Sequence, residues 1–532
     1  MSSFFLSLVL SALGIAAFKP SGEEIPLLPT YDQRFEDRYS PLKYLGPYGP
    51  FSSRSGNGIS TDVPAGCEID QVVLLQRHGE RYPSASSYEE QRAAVDKIYA
   101  SLPEGEVFHD DLAFLNRWQF FLDDENYTGL MVETGPYSGM ADLYGKGAAF
   151  RSRYGHLWDG QSTVPLFASD SERVIQSSHA FGRGFFGYNY TDVAKINVIS
   201  ESKKVGANAI SPGYCHNVDS TECELPNPEK SSGLDSVIYP EFDKAAVRLN
   251  EQHNLSLTGS DIFALLEVTA FDIMVRGYSP WLNVFTREEL LAYHYRMGIK
   301  FYCYSGHGSQ SARAFGTNWA NATNTLLNQG PEAGLPLALN FGHDSDIVAF
   351  LGGLNILKPL KPLDPNRVTF DSRWEISDIV PMGAQLVIER LKCAAPGLSN
   401  HTDLVDANAT LPESVLNNTI GNATANSTYG YFDPNTTASG FNRSNGTNPG
   451  GPVEKSTFVR LLLNDAVLPL DDCYEGPGYS CAFDDWNAIV AKQTAANKYV
   501  DTCQPQHNGY PEHLSYYWDW EEADYADNTK QE

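Results

Sequence analysis

Basic residues are scarce in this sequence. Its 38 lysines and arginines are outnumbered by 66 aspartates and glutamates, a formal net charge of −28 at neutral pH. That excess excludes nucleic acid and anionic membranes as partners, because both would repel it. Long apolar runs are lacking too. None approaches the roughly twenty residues needed to cross a bilayer, and the polar stretch 519–532 offers no hydrophobic tail for a lipid anchor. Histidines at metal-ligand spacing are also absent, so His156, His179, His253 and His294 read as structural or surface residues. No internal repeat of fixed period is found.

What the chain does have begins at its first residues. A short apolar run, 4–13, is broken only by Ser7 and Ser11 and is followed by the small residues Gly14, Ala16 and Ala17. Its length and small-residue exit fit a secretory signal peptide over 1–17, although no lysine or arginine precedes it. Two further counts agree with export. Twelve asparagines stand in N-x-S/T acceptor sequences: Asn126, Asn189, Asn254, Asn321, Asn400, Asn408, Asn417, Asn422, Asn426, Asn435, Asn442 and Asn445. Eight of them crowd into 400–445, so a glycosylated surface loop is expected over about 400–455. The eight cysteines, an even number, suggest four disulfides in an exported chain.

A length of 532 residues implies two or more domains, or one large domain with insertions. Residues 18–66 are rich in Pro, Gly, Tyr and Ser and read as an extended arm wrapping a domain or a neighbouring subunit. Val72-Val73-Leu74-Leu75 then has the continuous apolar character of a strand in a parallel sheet covered on both faces. Further short strands are expected at 164–168, 335–341, 385–391 and 458–463. Ser169-Asp170-Ser171-Glu172 opens a helix that runs to 186. Longer helical stretches, clearest at 261–275 and 288–302, fall within 187–334. The expected fold is therefore α/β, with a mostly parallel central sheet flanked by helices. It would occupy 67–186 and 335–505, with a smaller, mainly helical inserted domain at 187–334 and an acidic tail at 506–532.

Reactive side chains stand directly after three of these strands. Arg77, His78 and Arg81 follow the first, Arg173 lies in the turn after the second, and His343 with Asp344 follows the third. Ligands of open α/β sheets bind at the carboxyl ends of the strands. Three guanidiniums and two imidazoles there would form an anion pocket, with one carboxyl for proton transfer. A guanidinium donates paired hydrogen bonds to two phosphate oxygens and keeps its charge. The same charges lower the pKa of a neighbouring imidazole, which leaves a ring nitrogen nucleophilic in acid. Gly79 permits close backbone approach and an unusual dihedral. Singly, Arg77 or Arg173 reads as a surface ion-pair partner and His343-Asp344 as an ordinary loop dipeptide. Their joint placement after strands reverses that weighting.

The run Arg77-His78-Gly79-Glu80-Arg81-Tyr82-Pro83 resembles the R-H-G-x-R-x-P signature of the histidine acid phosphatases. His343-Asp344 resembles that family's second signature, and 169–174 resembles the segment holding its third phosphate-binding arginine. With Gly-Cys-Glu-Ile-Asp ahead of the signature, the sequence is most similar to fungal acid phosphatases of the phytase B type, over about 42–503. The resemblance implies a phosphoglycerate-mutase-like histidine phosphatase fold and acid hydrolysis of small phosphomonoesters, releasing inorganic phosphate, without metal or other cofactor. In that reading His78 takes the phosphoryl group covalently. Arg77, Arg81, Arg173 and His343 bind its oxygens, and Asp344 protonates the leaving alcohol.

The resemblance also implies disulfides Cys67–Cys393 and Cys473–Cys481. Cys215, Cys223, Cys303 and Cys503 then remain in three open pairings. It makes Glu80 and Asp272 candidates for substrate specificity. Glu80 fills the variable signature position, at the pocket rim or in a salt bridge. Asp272 stands on a helix where relatives carry an acidic residue, glutamate being the expected form. Phe167 occupies a position where many phytases carry an extra arginine. A homo-oligomer, dimer or tetramer, built through the N-terminal arm is implied as well.

Four functions compete on this basis. Broad-specificity acid phosphatase is favoured over dedicated phytase, because the acidic composition offers little of the Lys and Arg that a phytate pocket would gather at its rim. A non-catalytic cell-wall glycoprotein on the same fold should have lost His78 or Asp344, and both are present. A mutase of sugar phosphates conflicts with export and disulfides.

Overall fold

The computed structural model describes residues 40–211, 223, 240–394 and 455–525, apart from Ser55, Asn57, Asn366 and 370–372. The expected signal peptide, the acceptor cluster Asn400–Asn445 and Cys215 lie outside these residues. Strand β1 (Cys67–Arg77) is followed by α1 (Ala85–Ala100), α2 (Gly139–Tyr154), β2 (Val164–Ser169), α3 (Glu172–Phe186) and β3 (Ala194–Ile199). Then come α4 (Pro240–His253), α5 (Gly259–Arg276), α6 (Arg287–Tyr304), α7 (Gln310–Ala333), β4 (Leu337–Gly342) and α8 (Asp344–Gly353). The short α9 (Ile376–Ile379) precedes β5 (Gln385–Ala394), β6 (Lys455–Leu463), β7 (Ala466–Val467) and β8 (Cys481–Ala482). Helices α10 (Phe483–Ala496), α11 (Tyr499–Cys503) and α12 (Tyr516–Asp519) close the described chain.

The strands form one mixed sheet in the order β3-β2-β4-β1-β5-β6-β7, with β8 on β6. Strands β3, β2, β4 and β1 run parallel, whereas β5 to β8 join by antiparallel pairings. The expectation of a mostly parallel sheet is therefore corrected: only one half is parallel. Apolar runs report burial, and a strand covered on both faces reads alike whichever way its neighbour points.

Period-two alternation places Val73 and Leu75 of β1 in one core and Val72 and Leu74 in the other. Helices α2 and α3 cover the second face through Leu143, Phe150, Val174 and Phe181. The first face meets Leu326 of α7 and Phe350 of α8, in a core that continues through Leu265 of α5 and Met297 of α6. Each such buried Val or Leu contributes about 1.5–3 kcal/mol. Helices α5 and α6 coincide with the two helical stretches expected from the sequence. Each begins with a capping box, Thr258 with Asp261 and Thr286 with Glu289.

Other segments differ from their sequence reading. The stretch 187–334, read as mainly helical, also carries β3, which pairs with β2 at the sheet edge. A six-residue alternation is a faint signal beside long helical periodicity. The acidic tail is folded as far as 525. Leu514, Tyr516 and Tyr517 are buried, and the Tyr516 hydroxyl donates to Asn340 of β4 at 3.1 Å. Phe167 packs against the Tyr516 and Tyr517 rings at 4.8 and 5.4 Å, inside the core. Aromatic anchors outweigh the carboxylates around them. The described part of the arm lies on its own chain, where Met382 donates to the Gly49 carbonyl at 3.0 Å.

Cys67 and Cys393 are bridged where they face each other across β1 and β5. Cys473–Cys481 and Cys223–Cys303 form two further bridges, and Cys503 is also disulfide-bonded. Asn126, Asn189, Asn254 and Asn321 are all exposed.

Candidate active site

Strand β1 ends at Arg77, and the chain leaves the sheet at His78, whose N–H still reaches the Gly342 carbonyl of β4 at 3.0 Å. Gly79 is required by close approach rather than by an unusual dihedral. A Cβ there would stand 2.6 Å from Leu143 and 2.7 Å from the Gly139 carbonyl at the start of α2. Its N–H donates to Ser177 Oγ of α3 at 3.1 Å, and Ser177 in turn donates to the Arg173 carbonyl at 2.6 Å. Three elements are thereby clamped around the signature loop.

His78 is only 2 % exposed, and its Nδ1 lies 2.8 Å from the Gly79 carbonyl. A carbonyl can only accept, so Nδ1 carries the proton and Nε2 keeps a lone pair. Burial, then Arg77, Arg173, Arg81 and His343, hold this imidazole well below its ordinary pKa.

Arg77 is fully buried. Its Nη1 donates to the carbonyls of Pro47 and Val380, each at 2.6 Å, and its Nη2 stands 2.6 Å from Asp344 Oδ2. Burial pushes the Asp344 carboxyl up, but Arg77, His343 and Arg81 outweigh it and keep that carboxyl below its usual value. Arg173 Nη2 lies 3.4 Å from His343 Nδ1, and the His343 ring is 5.7 Å from the His78 ring. Burial and Arg81 bring Arg173 down to about 10, still charged in acid. Arg81 stands 5.8 Å from the Tyr48 ring and 5.9 Å from Phe271. The buried Nε–H donors of Arg81 and Arg173 have no acceptor among the described residues.

All six residues named at strand ends are thus brought together. The two specificity candidates are not with them. Glu80 turns inward, 2 % exposed, and accepts the Phe51 N–H at 3.0 Å. Burial and the nearby Asp142 push its carboxyl up to about 7. Asp272 is fully buried in the helical layer. It accepts from Trp118 Nε1 at 3.2 Å, Ser279 Oγ at 2.8 Å and Arg276 Nη1 at 2.5 Å. Its carboxylate is spent on three structural partners.

The surplus histidines are likewise occupied. His156 bonds the Ile69 carbonyl, His179 bonds the Tyr190 hydroxyl, His253 stands 2.6 Å from Asp111, and His294 lies between Ser377 and Glu375. Among the described residues no group of three or more His, Cys, Asp or Glu could hold a metal ion.

Sequence reasoning overlooked three residues. Ser177 clamps the loop, Tyr48 of the arm flanks Arg81, and Glu201 follows β3 and bonds His343. The strand-end argument would have found Glu201 had β3 been recognised.

Residues 68–407 match the model of the histidine phosphatase superfamily (branch 2), and the chain belongs to that family. A phytase of Candida albicans is 32% identical over 504 residues, covering 93% of this chain and 94% of the relative. The constitutive acid phosphatase of Saccharomyces cerevisiae is 28% identical over 542 residues, covering 99% and 98%. The crystal structure of the phytase from D. castellii superimposes with a TM-score of 0.74 at 29% identity, covering 96% of both chains.

Proposed function

We propose that this protein is an exported acid phosphatase of broad specificity that works through a phosphohistidine on His78. One observation carries the reading. The His78 Nε2 lone pair lies within the field of Arg81 and Arg173, whose buried Nε–H donors are unpaired among the described residues, at the ends of parallel strands on either side of β4. A phosphoryl group there satisfies the donors while its phosphorus faces the nucleophile.

The chemistry has two steps. In the first, Nε2 bonds to phosphorus as the phosphorus–oxygen bond to the alcohol breaks, and Asp344 gives its proton to the departing oxygen. In the second, Asp344 takes a proton from a water molecule whose oxygen attacks phosphorus. The phosphorus–nitrogen bond breaks, inorganic phosphate leaves, and Nε2 regains its lone pair. Arg77, Arg81, Arg173 and His343 hold the equatorial oxygens and offset their charge. Asp344 must hold a proton for the first step, although its neighbours keep it below the usual carboxylate value, so the rate rises in acid.

Similarity to two proteins named as phytases favours a second reading, in which myo-inositol hexakisphosphate is the preferred substrate. Export is supported by the disulfides and by the four exposed glycan acceptors. Initial rates on p-nitrophenyl phosphate and on phytate, from about pH 2 to 8, test the proposal in wild type and His78→Ala. Acid activity on both substrates, abolished by the substitution, is expected, and the rate ratio separates phosphatase from phytase. Activity surviving in His78→Ala refutes the phosphohistidine.

A further inference from the structure

The proposed chemistry draws on the ends of β1, β2 and β4. The end of the edge strand β3 adds Glu201, which that mechanism does not use. Its Oε1 accepts from His343 Nε2 at 2.6 Å, Ser169 Oγ at 2.6 Å and Ser171 Oγ at 2.9 Å. Ser169 ends β2, Ser171 precedes α3, and His343 follows β4. One oxygen therefore ties three neighbouring strand ends together.

Burial works against this carboxylate, yet hydrogen bonds from His343, Ser169 and Ser171 together with the His343 charge hold Glu201 at about 2. It is ionised in acid and can only accept, so Nε2 of His343 must carry a proton. Nδ1 is then the nitrogen turned towards Arg173, and the His78 ring lies 5.7 Å from the His343 ring.

We propose that Glu201 is a positioning residue that fixes the tautomer and ring direction of His343 and balances its charge. With Nε2–H committed to Glu201, Nδ1 can donate to a phosphoryl oxygen once protonated, and the imidazolium then lies between two anions. Charge balance matters because the other groups around His343 are mixed. Arg173 comes from α3, His78 from the end of β1, and Asp344 and Asp346 from its own helix, while Arg77 contacts Asp344 and Arg81 acts on it through its charge. Without Glu201, a protonated His343 faces Arg173 with no direct carboxylate partner on its ring. The inference rests on the phosphohistidine reading.

The experiment compares full-length wild type with Glu201→Gln and Glu201→Asp. It measures KM and kcat on p-nitrophenyl phosphate, and competitive inhibition by inorganic phosphate across the acid range. Loss of a hydrogen bond to a charged group predicts that Glu201→Gln weakens phosphate inhibition and raises KM about 10- to 100-fold. The fall in kcat should be smaller. Glu201→Asp should recover part of the loss at unchanged Tm. Wild-type KM and phosphate inhibition in Glu201→Gln would overturn the inference. So would losses in both variants that merely track a fall in Tm. His78→Ala is run alongside: residual activity there refutes the phosphohistidine reading. An inactive His78→Ala beside a wild-type-like Glu201→Gln refutes the role of Glu201 alone.

Discussion

Arg77 Nη2 stands 2.6 Å from Asp344 Oδ2, with the arginine wholly buried. Asp344, the proposed proton donor, is therefore paired to a cation that favours its ionised form.

The proposed role of Asp344 as proton donor gives a leaving-group prediction. Asp344→Asn keeps the shape but has no proton to give. On an alkyl ester such as glycerol phosphate, kcat should fall about 10²- to 10⁴-fold. On p-nitrophenyl phosphate the fall should be much smaller, because nitrophenolate departs without a proton. Equal losses on the two substrates would show that Asp344 is not the donor.

Glu80 gives a prediction about stability and pH. Its carboxyl is raised from 4.5 to about 7, first by burial and then by Asp142. A raised folded value means that its contribution to stability is whole below about 4.5 and is lost as pH climbs through 7. Glu80→Gln keeps an acceptor for the Phe51 N–H and removes the charge. Calorimetry should find Tm raised by about 2–5 °C at neutral pH, with no gain near pH 4. An equal shift at both pH values would contradict this account.

Asp272 separates structure from specificity. Asp272→Ala leaves the Trp118 indole, the Ser279 hydroxyl and Arg276 without their acceptor. The cost should be about 2–4 kcal/mol, read as a lower denaturant midpoint. The ratio of phytate to p-nitrophenyl phosphate hydrolysis should not change. A changed ratio at full stability would return Asp272 to the substrate pocket.

Residue by residue, what could be read early was local. The apolar run Val72 to Leu75 announced a strand, and Arg77, His78 and Arg81 followed it in an order that only close chain neighbours are needed to recognise. Arg173 and His343-Asp344 were legible for the same reason, since each stands within a few residues of its own strand. Glu80 was not. Its place in the signature says nothing of which way its side chain turns, and Asp142, Lys146 and Phe51 decide that from elsewhere in the chain.

The sequence by itself determined where strands end in reactive groups, and with that the family and the anion chemistry, because apolar runs and the signature are written in consecutive residues. Only the tertiary structure decided that β5 and β6 run antiparallel, that Tyr516 and Tyr517 anchor an acidic segment under the sheet, and that Glu201 holds His343. Those outcomes depend on pairings between distant residues. Direction, facing and hydrogen-bond partner are set by what lies opposite, and a linear pattern does not encode it.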